Sequence, residues 1–242
     1  AGAEIVYGRT VTGLERSGGR VTAVRHRAAE GGPAERLACD AVVLTPDLPV
    51  VHRLLGRAPR RPVPLRWSPS AVVLHAGVTR ARPELAHHTI SFGAAWESTF
   101  REIIDEGRLM SDPSLLVTRP TATDPGLAPA GRDLLFVLAP CPNTAAGPID
   151  WPRVGPAYRD ELLRVLEARG LGLDGLAAEI EVSRLVTPAD WTADGLGAGT
   201  PFALAHTFAQ TGPFRPHNLV RGVDNVVLAG CGYWVYSLSV GA

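Results

Sequence analysis

Residues Val223 to Gly232 read Val-Asp-Asn-Val-Val-Leu-Ala-Gly-Cys-Gly, and the reading of the remaining chain starts there. Asp224-Asn225 has the chemistry of a turn. Val226 to Ala229 form a short apolar run of the buried-strand type, and Gly230 and Gly232 open a bend with exposed backbone. Neither glycine has a Cβ, so a ligand can approach the main chain closely. The pattern suits a nucleotide phosphate, although a bare Gly-x-Gly after a strand is common. The residues on either side of it therefore decide its meaning.

The bulk composition narrows the classes available. A chain of 242 residues is long enough for one large domain or two small ones. Its 45% hydrophobic and 20% charged content belongs to a globular protein rather than a disordered one. Twenty-four basic residues balance twenty-four acidic ones, so charge gives no case for a nucleic-acid partner. Every basic residue is Arg, and the lack of Lys excludes Schiff-base or Lys-based catalysis. Cys39, Cys141 and Cys231 are too far apart for a disulfide framework or a zinc cluster, and a reducing, cytoplasmic setting is expected. On a strand, the adjacent His87 and His88 would point to opposite faces, so no metal is expected there. No apolar run approaches the ~20 residues of a spanning helix, and no stretch reads as a signal peptide. The first residues, Glu4-Ile-Val-Tyr7, already read as a strand, an abrupt opening that fits a piece of a longer protein.

Residues 3 to 45 read as a small β-unit. Arg9 to Glu15 and Arg20 to Arg27 alternate around a Ser17-Gly18-Gly19 turn, with Val21 and Val24 out of strict alternation, which predicts a bulge or register break. Leu37 to Leu44 ends in a buried-type strand that Thr45-Pro46-Asp47 breaks. Pro59, Pro62, Pro64 and Pro69, interleaved with Arg57, Arg60, Arg61 and Arg66, read as a crossing between domains. Strands are expected at Ala71–Val78, Thr89–Phe92, Leu115–Thr118 and Leu134–Leu138, in a mainly antiparallel sheet. Two helices carry apolar stripes expected to face the core: Trp96, Phe100, Ile103 and Ile104, and Tyr158, Leu162, Val165 and Leu166. Gly107 and Gly170 are placed to stop them. The polar, proline-bound stretch Arg119 to Pro129 is expected to be loop. So is Thr207 to Asn218, where aromatic rings meet Arg215, His217 and Asn218.

These blocks carry a resemblance. His87-His88-Thr89-Ile90, Asp112-Pro113-Ser114-Leu115, Arg119 to Pro129 and Val137-Leu138-Ala139-Pro140 through Asp150-Trp151 come first. Phe214-Arg215-Pro216-His217-Asn218 and Asn225 to Gly232 follow. In that order, over nearly the whole chain, they resemble the bacterial and fungal phytoene desaturase family. The resemblance implies FAD as cofactor and desaturation of an apolar polyisoprenoid, phytoene or a related carotenoid precursor. The implied fold class is α/β: a Rossmann-like FAD-binding domain, incomplete here, with an inserted α+β substrate domain built on an antiparallel sheet. Residues 1–56 would belong to the FAD domain, 57–217 to the substrate domain and 218–242 to the return of the FAD domain. Val11 would lie at the adenine end of FAD, and Gly230, Cys231 and Gly232 at its ribityl and pyrophosphate region.

The family's Gly-x-Gly-x-x-Gly turn, which holds a pyrophosphate on a helix N-terminus, is not among these residues, and a missing N-terminal half is implied. After Gly-x-Gly the family continues with Thr/His-Pro-Gly, whereas here bulky Tyr233 and Trp234 follow. An apolar substrate calls for an apolar site, and the flavin brings the redox chemistry, so no catalytic residue is identified. The substrate's insolubility implies peripheral contact with the inner face of the cell membrane. Two alternatives stand beside this reading: a non-catalytic remnant that folds without FAD, and a relative acting on another apolar substrate.

Overall fold

The computed structural model describes residues 2–58, 64–230 and 232–233. The elements follow one another as β1 (Arg9–Ser17), β2 (Arg20–Ala28), β3 (Glu35–Ala38), β4 (Val42–Leu44), α1 (Leu48–Leu54), β5 (Ser70–Val78), β6 (His88–Ser91) and α2 (Trp96–Ile104). Then come β7 (Leu115–Thr118), β8 (Asp133–Cys141), α3 (Trp151–Ala168), α4 (Leu176–Glu179), β9 (Ile180–Val186), α5 (Pro188–Ala193) and β10 (Val226–Leu228). The chain divides into two compact units, Ala1–Arg66 with Ala203–Ala242 and, between them in sequence, Trp67–Phe202.

In the first unit, β1, β2 and β3 form an antiparallel meander. The β1–β2 register shifts at two points, skipping Thr12 on one strand and Thr22 on the other, which is the irregularity that the two valines predict. The stretch from Leu37 to Leu44 is not one strand. It leaves the meander after Ala38 and re-enters as β4, which pairs with β10 in a separate parallel ribbon, Val42 opposite Val226 and Leu44 opposite Leu228. Residues 4–7 are not a strand either: Ile5, Val6 and Tyr7 are exposed, because pairing with β2 begins only at Arg9. Of the Pro/Arg-rich crossing, residues 59–63 lie outside the described residues.

The second unit is built on a five-stranded antiparallel sheet in the order β6-β7-β8-β5-β9. The four strands read from the sequence are all present, and β9 joins them at the edge. Alternation along the strands sends Val72, Leu74, Val117, Leu135 and Val137 to one face, where α3 packs with Trp151, Tyr158, Leu162 and Leu166. That helix thus buries the stripe its spacing predicts, and Gly170 follows it at φ +64°. Burying side chains of this size contributes roughly 1.5–3 kcal/mol each. Asp133, at the start of β8, is buried and ties the loops down: it accepts the Arg82 N–H at 2.6 Å, the Thr121 hydroxyl at 2.5 Å and the Arg119 guanidinium at 3.3 Å. The stretch after Arg119 is irregular apart from short 3-10 turns, and Arg119 itself serves as a strut.

Helix α2 departs from expectation. Ile103 is buried, together with Thr99 and Glu102, but Trp96 and Ile104 are 50% and 46% exposed and Phe100 is half-buried. The reason is electrostatic. The buried Glu102 carboxylate accepts the Ser111 N–H at 2.7 Å and its hydroxyl at 2.9 Å and pairs with Arg108 at 2.8 Å, while Asp112 accepts the Ala95 N–H at 3.2 Å and pairs with Arg169 at 2.8 Å. Breaking one partner of such a buried pair strands a charge, so the polar side stays down and the apolar shoulder turns outward.

Two measurements follow. Ile103→Ala should lower unfolding stability in urea by about 2–4 kcal/mol, whereas Ile104→Ala should change it by less than about 0.5 kcal/mol. For Asp112 the Ala95 amide is the largest influence, and with Ala94 and Arg169 it holds the carboxyl below its usual range against the opposing effect of burial. Burial pushes Glu102 up, but the Ser111 amide and hydroxyl and Arg108 together outweigh it, so this carboxyl is also lowered. Groups depressed in the folded state contribute stability above the ordinary carboxylate range and lose it as pH falls through their folded values. The tryptophan emission of a Glu102→Gln variant should therefore respond less to acidification below about pH 4 than that of the parent.

Candidate functional site

The glycine turn that follows β10 is positioned by Asn225. Its buried side chain accepts the Val21 N–H at 2.8 Å and donates to the Val21 and Asp40 carbonyls, each at 2.7 Å. Its own carbonyl accepts the Val42 N–H at 2.9 Å, which starts the parallel ribbon. Asn225 thereby stitches the meander to β4 and β10. Ala229 closes the ribbon by donating to the Leu44 carbonyl at 2.9 Å. Gly230 then adopts φ +137°, a conformation that L side chains rarely reach.

Two turns meet at the carboxyl end of this parallel pair: Gly230 to Tyr233 after β10, and Thr45 to Asp47 after β4. Ligands of open α/β sheets bind at such carboxyl ends. Gly232 lies beside Asp47 and Leu48, where an added Cβ would make only ordinary contacts. The Tyr233 ring is buried and donates its hydroxyl to the Pro46 carbonyl at 3.3 Å, and burial, with Asp47 nearby, pushes its phenol up. This tyrosine, which the sequence marks as bulky after Gly-x-Gly, therefore folds back onto the turn that follows β4.

Gly230 is exposed here and Gly232 is buried, and the half-buried Asp47 brings a carboxylate to the same end of the ribbon. Hydroxyl groups of a ribityl chain fit beside this carboxylate, because its oxygens accept from them. A pyrophosphate does not fit beside the same carboxylate, since like charges oppose each other. α1 also lines a cleft of about 580 Å³, with Leu48, Val51, Leu55 and Leu228 as apolar lining and Arg215 and His217 among its polar residues. Phe214 also lines it, its ring 5.8 Å from that of Phe208.

Val11 sits elsewhere in the unit, on β1 opposite His26, and is 44% exposed. It belongs to the meander and Gly230 and Gly232 to the ribbon, so the sequence-derived candidates fall on two sheets joined through Asn225. Cys231 and Trp234 lie outside the described residues. Sequence reasoning read Asn225 as a turn residue and passed over Asp47 and Tyr233 as parts of the site. A buried Asn is not distinguishable by spacing from a solvated one, and only the partner carbonyls reveal it.

In the second unit, the sheet face opposite α3 is incompletely covered. Trp191 of α5 packs against the Ala71, Val73 and Val186 end, donating its indole N–H to the Ala71 carbonyl at 3.0 Å. The register aligns Ile90, Leu116, Leu138 and Val73 in one row across the strands, and His88, Thr118, Phe136 and His75 in the next. His75 is exposed although β5 is an inner strand, and Ile90 is 60% exposed. His75 meets Phe136 edge-on at 5.3 Å. His87 precedes β6, so its ring does not point away from that of His88: the two stand 4.4 Å apart, and their Nδ1 atoms bond Thr123 and Thr118 respectively. Among the described residues no group of three or more His, Cys, Asp or Glu is placed to hold a metal ion. Cys39 and Cys141 are free thiols.

The chain belongs to the family described as flavin containing amine oxidoreductase, which it matches over residues 1–235. It is 65% identical to a phytoene dehydrogenase of Streptomyces griseus, over 96% of this chain and 45% of that protein. It is 38% identical to a zeta-carotene-forming phytoene desaturase of Myxococcus xanthus, over 95% of this chain and 44% of the relative. With a lycopene-forming phytoene desaturase of Pantoea ananas the identity is 32%, over 96% and 47% respectively. The chain thus spans about half the length of these curated relatives. Among solved structures, an oxidoreductase from Methanosarcina mazei shares the fold at a TM-score of 0.51 and 14% identity, over 93% of this chain and 44% of that one.

Asn225→Ala would leave a buried N–H and two carbonyls unsatisfied, and should cost about 2–4 kcal/mol in urea unfolding. Gly230→Ala, forced to φ +137°, should cost about 1–3 kcal/mol, while Gly232→Ala should be close to neutral in the same experiment.

Proposed function

We propose that this chain is part of an FAD-dependent desaturase acting on phytoene or a related carotenoid precursor. Its first unit is the partial Rossmann-like, flavin-binding side and its second the inserted substrate domain. The boundaries read from the sequence are 1–56, 57–217 and 218–242, whereas the compact units divide between Arg66 and Trp67 and between Phe202 and Ala203. The observation that carries the reading is the incompletely covered sheet face opposite α3, where Ile90 is exposed and Leu116, Leu138 and Phe136 are half-buried. A folded domain gains by burying these side chains fully, and leaving them partly accessible suits a ligand that is itself hydrocarbon.

In this reading Ile90, Leu116, Leu138 and Phe136 line up an extended polyisoprenoid by contact alone, since such a substrate offers no hydrogen bond to fix it. The apolar row of Ile90, Leu116, Leu138 and Val73 gives it a bed, and Phe136 extends that bed into the next row. Backbone at Gly230 and Gly232 and the Asp47 carboxylate hold the hydroxyl-bearing part of FAD, with Val11 assigned to its adenine end. Bound there, the flavin supplies the acceptor for hydride removal from the hydrocarbon. The chain's own contribution is binding, orientation and exclusion of water.

Titration of the purified chain with FAD, followed by quenching of flavin fluorescence, tests the cofactor half. Gly230→Val should weaken binding at least tenfold while the chain stays folded by circular dichroism. Expression in phytoene-accumulating cells of the whole protein of which this chain is part tests the substrate half, with coloured polyenes as the expected product. A folded chain that neither quenches FAD nor yields polyenes would be the non-catalytic remnant, and flavin binding without polyenes would point to another apolar substrate.

A further inference from the structure

The sheet face opposite α3 holds two basic side chains that a bed for a pure hydrocarbon does not account for. On β5, an inner strand between β8 and β9, only His75 is exposed. Directly opposite it in the register stands Arg184 of β9, also exposed. Residues facing each other across an antiparallel pair share one face, so the imidazole and the guanidinium are neighbours there. Phe136 meets the imidazole edge-on at 5.3 Å. One row along, about 7 Å away, Val73 and Val186 carry Trp191 of α5. The row on the other side is Val182, Gly77 and Leu134. The basic pair is therefore bordered by apolar side chains along both strands.

No acceptor on this face serves the pair. Among the described residues neither side chain has a hydrogen-bond or ion-pair partner. The two rows across the sheet, from Val186 to Ile90 and from Arg184 to His88, contain no carboxylate. Their one hydroxyl, on Thr118, is bonded to His88 at 2.9 Å. We infer that His75 and Arg184 form a head-group end to the bed, and that this face binds a long apolar molecule ended by a carboxylate. The inference rests on the reading of this face as a ligand bed and not on the flavin chemistry. A guanidinium only donates, and an imidazole keeps an N–H in either charge state. A hydrocarbon laid over the two would strip their water and return no hydrogen bond. A carboxylate returns charge-assisted ones, and its two oxygens match the guanidinium fork. From that end its chain crosses Phe136 and follows Leu138, Leu116 and Ile90 over the neighbouring strands. A site that hydrogen-bonds its ligand discriminates strongly against an analogue lacking the group.

The probe is cis-parinaric acid, a fluorescent polyene carboxylate, and its methyl ester is the control that keeps the chain and loses the charge. Both are titrated into the whole protein of which this chain is part, below the concentration at which they self-associate. The acid should bind at least tenfold more tightly than the ester, and raised salt should narrow the difference. His75→Phe and Arg184→Leu should each weaken acid binding at least fivefold and leave ester binding within twofold. Arg164→Leu, on α3 across the sheet, should change neither. Circular dichroism checks that the variants fold. Equal affinity for acid and ester, acid binding unchanged in the two folded variants, or no binding of the acid would each overturn the inference. Polyene formation together with equal affinities would leave the desaturase standing without this site. Acid-selective binding without polyene formation would leave the site standing without the desaturase.

Discussion

One buried amide side chain holds the first unit in register. Asn225 satisfies both main-chain groups of Val21 and the carbonyl of Asp40, three polar groups that would otherwise be unpaired where the meander ends and the parallel ribbon begins. A two-stranded parallel ribbon has little stability of its own. Here it is defined because the residue before β10 is clamped from the side and Ala229 is held by Leu44 just after it. The carboxyl end of the ribbon, with the strained Gly230 and the returning Tyr233, inherits its position from that clamp.

The second unit obeys a different constraint. Its sheet closes one face with α3 and leaves much of the other accessible, and the loops at the sheet end are braced by a buried carboxylate, Asp133, rather than by apolar packing. The same device recurs under α2, where Glu102 and Asp112 decide which side of the helix faces inward. In both places polar groups fix the backbone so firmly that apolar side chains are left for other purposes. Stability and surface chemistry are thereby supplied by different residues.

Much of this was legible in the sequence. Period-two alternation located β1 and β2, apolar runs set off by turns located β5 and β8, and the stripe of Tyr158, Leu162 and Leu166 located α3 and its buried face. The glycine turn after β10 was legible because Gly230 and Gly232 flank a strand of branched residues. What escaped has a common cause. The Leu37–Leu44 run looks continuous because apolar content does not record a change of partner sheet, and α2 looked core-facing because periodicity registers a stripe and not its direction. His87 and His88 come together because only one of them is in the strand. Asn225, Asp47 and Tyr233 owe their places to partners far off in sequence, which no local pattern contains.

The bond between Val21 and Asn225 spans 204 positions of the chain, and that span has a kinetic side. Closing so long a loop is slow and entropically unfavourable for a loose chain, though the penalty grows only logarithmically with length. Residues 67–202 form a compact unit of their own, so once they fold, the effective loop is far shorter than its residue count. The order of events on a ribosome is then set by the architecture. The meander leaves the ribosome ahead of the inserted unit, and the Val21 and Asp40 groups are satisfied only when Asn225 appears.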